Sequence, residues 1–316
     1  MIELKHIDKR FGTTQALRDV SIAAQSTGIL GLLGVNGAGK STALNIMTGF
    51  FPPDRGQVTV DGMDMLADPL GCKRRIGYLP EQPPLYDELT VQEYLVFVCR
   101  LREVRARAIP AHVEDIVSLC GLSEVARRPL GKLSKGYRQR AGVAQALCGD
   151  PPTLILDEPT VGLDPRQVVE IRALIRRLGE DHTVIFSSHL LSEVQQLCDR
   201  VVILHEGRVV WNASLSEAPD SGTQRLRVSI AMQEKRLLPI LRDLPGLQRV
   251  EIHPTRDAGR TECSLIFEAC ADPHQPAHRV FRLMAAHDAA ILMMMPEEDS
   301  LEAVFLRATA REEAAP

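Results

Sequence analysis

The sequence predicts an α/β protein followed by a small α+β domain, and three patterns carry that reading. Over residues 1–211, short apolar, β-branched runs alternate with amphipathic helical stretches. A mainly helical block at about 85–149 interrupts the alternation, as an inserted subdomain does. A small, polar, turn-rich stretch at 212–223 reads as a linker, and residues 224–316 beyond it carry strand and helix signals in the order βαββαβ.

The elements follow in order. Runs at 29–33, 153–157, 183–187 and 200–204 are apolar almost throughout, which suits strands of a parallel sheet covered on both faces. Runs at 2–7 and 20–24 alternate more and suit an antiparallel edge layer. The helical block resolves into 91–101, 111–119 and 136–148. After the linker come strand 225–230, helix 235–241, strands 247–252 and 263–268, helix 276–286, strand 290–295 and helix 300–307. That order is ferredoxin-like.

Composition excludes several classes. The 316 residues are 45% hydrophobic, too apolar for a disordered chain. Lys+Arg 37 against Asp+Glu 41 gives a net charge of −4, which weighs against a nucleic-acid partner. No apolar run is long enough to span a bilayer, and the start, Met1-Ile2-Glu3-Leu4-Lys5, lacks the basic and apolar regions of a secretion signal. Seven scattered cysteines, odd in number and without a Cys-x-x-Cys pair, exclude a disulfide scaffold and leave reduced, buried thiols as the expectation.

The sharpest local signal is Gly34-Val35-Asn36-Gly37-Ala38-Gly39-Lys40-Ser41, between an apolar strand and a helix opening at Thr42. Glycines let the backbone wrap tightly, so that successive N–H groups face phosphate oxygens, and the helix N-terminus adds its positive dipole end. Lys40 then reaches the β- and γ-phosphates and the Ser41 hydroxyl binds Mg²⁺. A second signal is the apolar run that ends in Asp157-Glu158-Pro159. Adjacent acids at the end of a buried strand are costly unless a cation or substrate explains them. Asp157 is placed to hold Mg²⁺ opposite Ser41, and Glu158 to polarise the water that attacks the γ-phosphorus.

Leu133-Ser134-Lys135-Gly136-Tyr137-Arg138-Gln139-Arg140 precedes and opens a helix that Ser134 can cap. With these residues in hand, the first ~211 resemble the ATP-binding subunit of an ABC transporter. The resemblance implies a P-loop ATPase core with an antiparallel β layer and an inserted helical subdomain. It implies ATP and Mg²⁺ as cofactors, and head-to-tail pairing with a second copy, whose Ser134 and Gly136 complete each ATP site. Val161-Gly162-Leu163-Asp164-Pro165 looks like the family's D-loop, with Asp164 linking the two sites. Ser187-Ser188-His189 looks like its switch histidine, with His189 against the γ-phosphate. Phe11-Gly12 resembles the loop whose aromatic ring stacks on adenine; a core phenylalanine of the antiparallel layer is the alternative. Residues 78–90, stiffened by Pro80, Pro83 and Pro84, match the face that meets a transmembrane permease subunit. The expected place is therefore peripheral, on the cytoplasmic face of a membrane.

Two departures from the family pattern stand out. Glu81 occupies the position where the family carries a glutamine; as a hard oxygen ligand it can still bind Mg²⁺. Lys135 and Tyr137 replace the usual Gly and Gln of the signature loop, and Lys135 is expected to add positive charge near the γ-phosphate. The same changes occur in an exporter branch that includes gliding-motility and multidrug-export-type ATPases. An ATPase driving a non-transport membrane complex, or acting on ribosomes or DNA, is the alternative.

Weaker signals have plainer readings. Arg100, Arg102, Arg105 and Arg107 read as a solvated helix face. His274 and His278 have metal-compatible spacing but no third ligand, and Met293-Met294-Met295 reads as core filler.

Overall fold

The computed structural model of the chain describes residues 1–24, 27–215, 223–255, 259–268, 272, 274–296 and 305. These fall into two compact units, 1–215 and 223–296.

The first unit is built on two sheets. The antiparallel one has the order β2-β1-β4-β5, from β1 (Ile2–Phe11), β2 (Thr14–Ala24), β4 (Arg55–Val60) and β5 (Met63–Asp64). The other contains β3 (Gly28–Leu33), β6 (Ile76–Leu79), β7 (Thr153–Leu156), β8 (Thr183–Ser188), β9 (Arg200–His205) and β10 (Arg208–Ser214), in the order β10-β9-β3-β8-β7-β6. All its pairings are parallel except that of the edge strand β10. The register sets Leu33 of β3 beside Ser188 of β8, Leu156 of β7 beside Phe186 of β8, and Leu79 of β6 beside Leu156. The carboxyl ends of β3, β8, β7 and β6 thus lie side by side, where parallel sheets place their ligands.

Apolar alternation explains how the layers stick. Ile2, Leu4 and Ile7 of β1, Val20 and Ile22 of β2, and Val58 and Val60 of β4 form one buried cluster with Leu30 and Leu32 of β3. Helix α1 (Lys40–Met47) contributes Ala43, Leu44, Ile46 and Met47 to it. A short α2 (Pro69–Arg74) follows β5. The helical block contains α3 (Val91–Leu101), α4 (Ile109–Leu119) and α5 (Lys135–Leu147). Thr90 and Glu93 form a reciprocal capping box at the start of α3. Helices α6 (Pro165–Asp181) and α7 (Leu191–Leu197) flank the parallel sheet.

The second unit folds as β11 (Thr223–Ile230), α8 (Glu234–Leu241), β12 (Leu247–His253), β13 (Thr261–Glu268), α9 (Gln275–Ala286) and β14 (Ile291–Pro296). Its sheet runs β12-β13-β11-β14, antiparallel throughout, which is the ferredoxin-like order. Alternate residues Leu226, Val228 and Ile230 of β11 and Cys263, Leu265 and Phe267 of β13 pack on Leu237, Leu241, Val280 and Met284 of the helices.

Several expectations need correction. Residues 212–214 are strand rather than linker: Asn212, Ala213 and Ser214 pair with Val202, Val201 and Arg200 of β9. Their small polar side chains read as a turn, but the neighbouring strand satisfies their backbone groups. At the other end of that linker, Thr223 opens β11. Arg102 is not part of a solvated face, because its guanidinium donates to the carbonyls of Lys73 (3.0 Å) and Ile76 (2.8 Å), tying α3 to the core. Of the three methionines only Met294 packs on the core, while Met295 is exposed. The tail helix at 300–307 lies outside the described residues, apart from Phe305. Cys270 lies outside them too; the other six cysteines are buried and free.

Candidate functional site

A cleft of ≈ 710 Å³ opens at the carboxyl ends of the parallel strands. The loop after β3 contributes Val35, Asn36, Gly37 and Gly39 to its wall, and α1 contributes Lys40, Ser41 and Thr42. Glu81 after β6, Glu158 after β7 and His189 after β8 face the same space. Gly39 has φ 103, and a Cβ there would meet the carbonyl oxygen of Ala16 at 2.8 Å, so the loop closes against β2 only with glycine. Gly34 and Ala38 do not line the cleft. Their carbonyls instead accept from Lys40 Nζ (2.7 Å) and from the Gly207 amide (3.1 Å).

The charged groups are tightly interlocked. Lys40 is buried, and its ammonium stands 3.6 Å from Glu158 Oε1. The other carboxylate oxygen of Glu158 is 2.8 Å from His189 Nδ1, so Glu158 joins the lysine to the histidine. Glu158 has φ 47, a strained backbone for a non-glycine residue, and its amide donates to Ser187 Oγ at 2.8 Å. Ser187 Oγ in turn donates to Asp157 Oδ1 at 2.6 Å. Burial pushes the Asp157 carboxyl above its usual range, and the nearby Glu158 and Glu81 carboxylates add to this; the Ser187 bond and Lys40 oppose it.

A divalent cation fits this donor set. Ser41 and Glu81 in the cleft wall offer hard oxygens, and Asp157, which is buried, bonded to Ser187 and not part of that wall, is a further carboxylate close by. Among the described residues no three His, Cys, Asp or Glu side chains converge on one point.

A second cavity, ≈ 430 Å³, has Ser134, Gly136, Tyr137, Arg140, Gln167 and Glu170 in its wall. Ser134 caps α5 by accepting from the Tyr137 amide at 3.5 Å. A Cβ on Gly136 would meet the far end of the Gln167 side chain at 2.6 Å, so a larger residue there would push that side chain aside. Asp164 caps α6, accepting from the Gln167 amide at 3.0 Å. Arg140 donates to the Cys120 carbonyl and pairs with Glu170.

Not every expected residue joins the first cleft. Phe11 stays outside its wall. It ends β1 opposite Thr14, which does line the cleft, and its ring meets Phe51 edge-on at 5.4 Å with Lys9 over it. The Lys135 ammonium lies against Gly162 of the same chain. Gln15, Arg18 and Glu206 line the cleft without having been anticipated. No sequence signal marks them, since it is the closure of β2 and the β9–β10 turn over the loop that brings them in.

The comparisons with known proteins agree with this architecture. The ABC transporter family model matches residues 17–161. The ATP-binding protein NatA of Bacillus subtilis (strain 168) is 38% identical over 227 residues, 70% of this chain and 92% of that protein. The chain belongs to the ABC transporter ATP-binding proteins. As a member of that family it is an ATP-binding ATPase. The Nod factor export ATP-binding protein I of Rhizobium sp. (strain N33) is 33% identical over 98% of this ATPase and 97% of its own length. A dimeric ATP-binding cassette solved in a post-hydrolysis state with ADP and Pi superposes with a TM-score of 0.62 at 26% identity. That match covers 68% of this ATPase and 99% of the solved chain.

Proposed function

We propose that this ATPase hydrolyses ATP between two head-to-tail copies and drives a conformational change in a separate transmembrane permease, for export. The observation that carries the reading is the adjacency of four strand ends, which gathers Lys40, His189, Glu158 and Glu81 in one cleft. Among the described residues no helix is long and apolar enough to cross a membrane, so the described part needs a spanning partner for transport.

In this reading the backbone of Asn36, Gly37, Ala38 and Gly39 cradles the phosphates, and Lys40 turns from Glu158 toward the β- and γ-oxygens. Ser41, Asp157 and Glu81 are the residues that would hold Mg²⁺, which would neutralise charge on the phosphates. Glu158 polarises the attacking water; its oxygen bonds the γ-phosphorus as the bond to the bridging oxygen breaks and ADP leaves, and the proton the water loses passes by way of Glu158 to the released phosphate. His189 contacts the γ-phosphate and orients Glu158. Phe11, at the rim beside Thr14, takes the adenine ring. The second cavity, with Ser134 and Gly136 at a helix N-terminus, meets the γ-phosphate of the other copy. Asp164, fixed by its cap, sits where the two sites communicate. Export is supported by relatives such as the Nod factor export protein, similar over nearly its whole length.

The test is a pull-down of tagged Glu158→Gln with ATP and Mg²⁺ from detergent-solubilised native membranes, with cytosol alongside. Recovery of a multi-spanning subunit is expected. Recovery only of ribosomes, DNA-associated proteins or the homodimer would reject a membrane-coupled role.

A further inference from the structure

Glu193 is a buried carboxylate that the reading above does not use. It lies in the first turn of α7 and is 5% exposed. Its Oε2 accepts two hydroxyls, Thr160 Oγ1 at 2.8 Å and Ser188 Oγ at 2.9 Å, both from buried residues. Ser188 Oγ also accepts from the Leu190 amide at 3.0 Å. A carboxylate removed from water is costly, and two neutral hydroxyl bonds offset only part of that cost.

The position of these partners explains what the arrangement does. Thr160 lies two residues beyond Glu158, and Ser188 is bonded to His189. One oxygen of Glu193 therefore pins the exit of the loop that carries the acid to the end of the strand that carries the histidine. The entry of that loop is pinned separately, by the Glu158 amide on Ser187 Oγ. Between these anchors Glu158 keeps its left-handed backbone, φ 47, a conformation that persists only where its surroundings over-determine it.

We infer that Glu193 is a positioning residue for hydrolysis, holding Glu158 and His189 at their 2.8 Å contact through Thr160 and Ser188. The inference rests on Glu158 being the group that polarises the attacking water. Glu193 does not itself line the cleft, so its removal should lower turnover and spare ATP affinity. Because both hydroxyls bond the same oxygen, a glutamine amide oxygen can accept both. The position of the oxygen, not the charge, is what matters.

The experiment measures steady-state ATPase and ATP affinity of the full chain with Glu193→Ala, Glu193→Gln and Thr160→Val, alone and combined with Glu158→Gln. Glu193→Ala should lower kcat by roughly 10–100-fold with Kd for ATP within about twofold. Glu193→Gln should restore kcat to within about threefold of the parent, and Thr160→Val should lower it by about 3–10-fold. In the Glu158→Gln background neither Glu193→Ala nor Thr160→Val should cause further loss. A parallel loss of ATP affinity, an equal loss in that background, or a Gln variant as damaged as Ala would overturn the inference alone. Full turnover of Glu158→Gln by itself would overturn the reading of the site, and the inference with it. Thr160→Val nearly preserves shape, so it decides the matter if Glu193→Ala folds poorly; an unchanged kcat there counts against the proposal.

Discussion

Among the described residues, those between 1 and 215 include four buried charged side chains, Lys40, Asp157, Glu158 and Glu193, whereas between 223 and 296 the buried polar residues described are Ser229, Thr261 and Ser264. Each unit has a continuous apolar core of its own. In the first unit the charges sit at or directly behind the ends of β3, β7 and β8, bonded to one another or to Ser187, Ser188 and Thr160. Packing alone does not require them, because apolar side chains of similar size would fill that space at lower cost. Buried ionic chemistry therefore marks where the first unit works, and the described second unit has no counterpart.

The largest effects should fall on the charged cluster and should separate binding from chemistry. Lys40→Ala is expected to weaken ATP binding by about 10²-fold or more in a fluorescent-nucleotide titration. Glu158→Gln should keep ATP affinity and cut turnover by about 10²-fold or more in a phosphate-release assay. Similar behaviour of the two variants would dissolve the distinction between a phosphate cradle and a hydrolytic acid.

Next in size is a core truncation in the second unit. Leu265→Ala, fully buried in central strand β13, should cost about 2–5 kcal/mol. It should raise amide exchange across 223–296 while ATP affinity stays within about twofold of the parent. A loss of ATP binding would show that the second unit supports the site despite burying no charge.

Smaller still is the cap of α3. Thr90→Ala should cost about 1 kcal/mol and raise exchange in the first turn of that helix. The smallest effect is electrostatic. The amide and hydroxyl of Thr90 hold the Glu93 carboxyl below its usual range. A depressed folded value stabilises above the unfolded carboxylate range and is lost as pH falls through the folded value. Helix α3 should fray as the solution is acidified through that range, and Glu93→Gln should flatten this dependence. An unchanged profile would remove the capping box from the account.

Much of the fold was legible because period and burial agree. The runs at 29–33, 153–157, 183–187 and 200–204, apolar almost throughout, coincide with β3, β7, β8 and β9 to within a residue, and helix 91–101 coincides with α3. The strand signals of the second unit likewise placed its strands to within about two residues. The 17-residue helix α6 went unread, and so did α7, β4, β6 and β10. Strands β4, β6 and β10 are short or half-polar, and it is pairing rather than propensity that makes them strands.

The site divides in the same way. Chain-local motifs pointed to the phosphate loop and the Asp157-Glu158 pair, because glycine spacing, a strand-end acid and a helix start are features of neighbouring residues, whereas His189 was singled out only by the resemblance to the family. Only the tertiary structure decided which of these meet. Strand order put β8 between β3 and β7, so Glu158 reaches both Lys40 and His189. It also turned Lys135 onto Gly162, left Phe11 at the rim, and drew Glu193 in behind the acid. Thr160 and Glu193 stand 33 residues apart, and no local pattern links them. Their contact exists because β7 and β8 are adjacent parallel strands whose following loops must share one buried space.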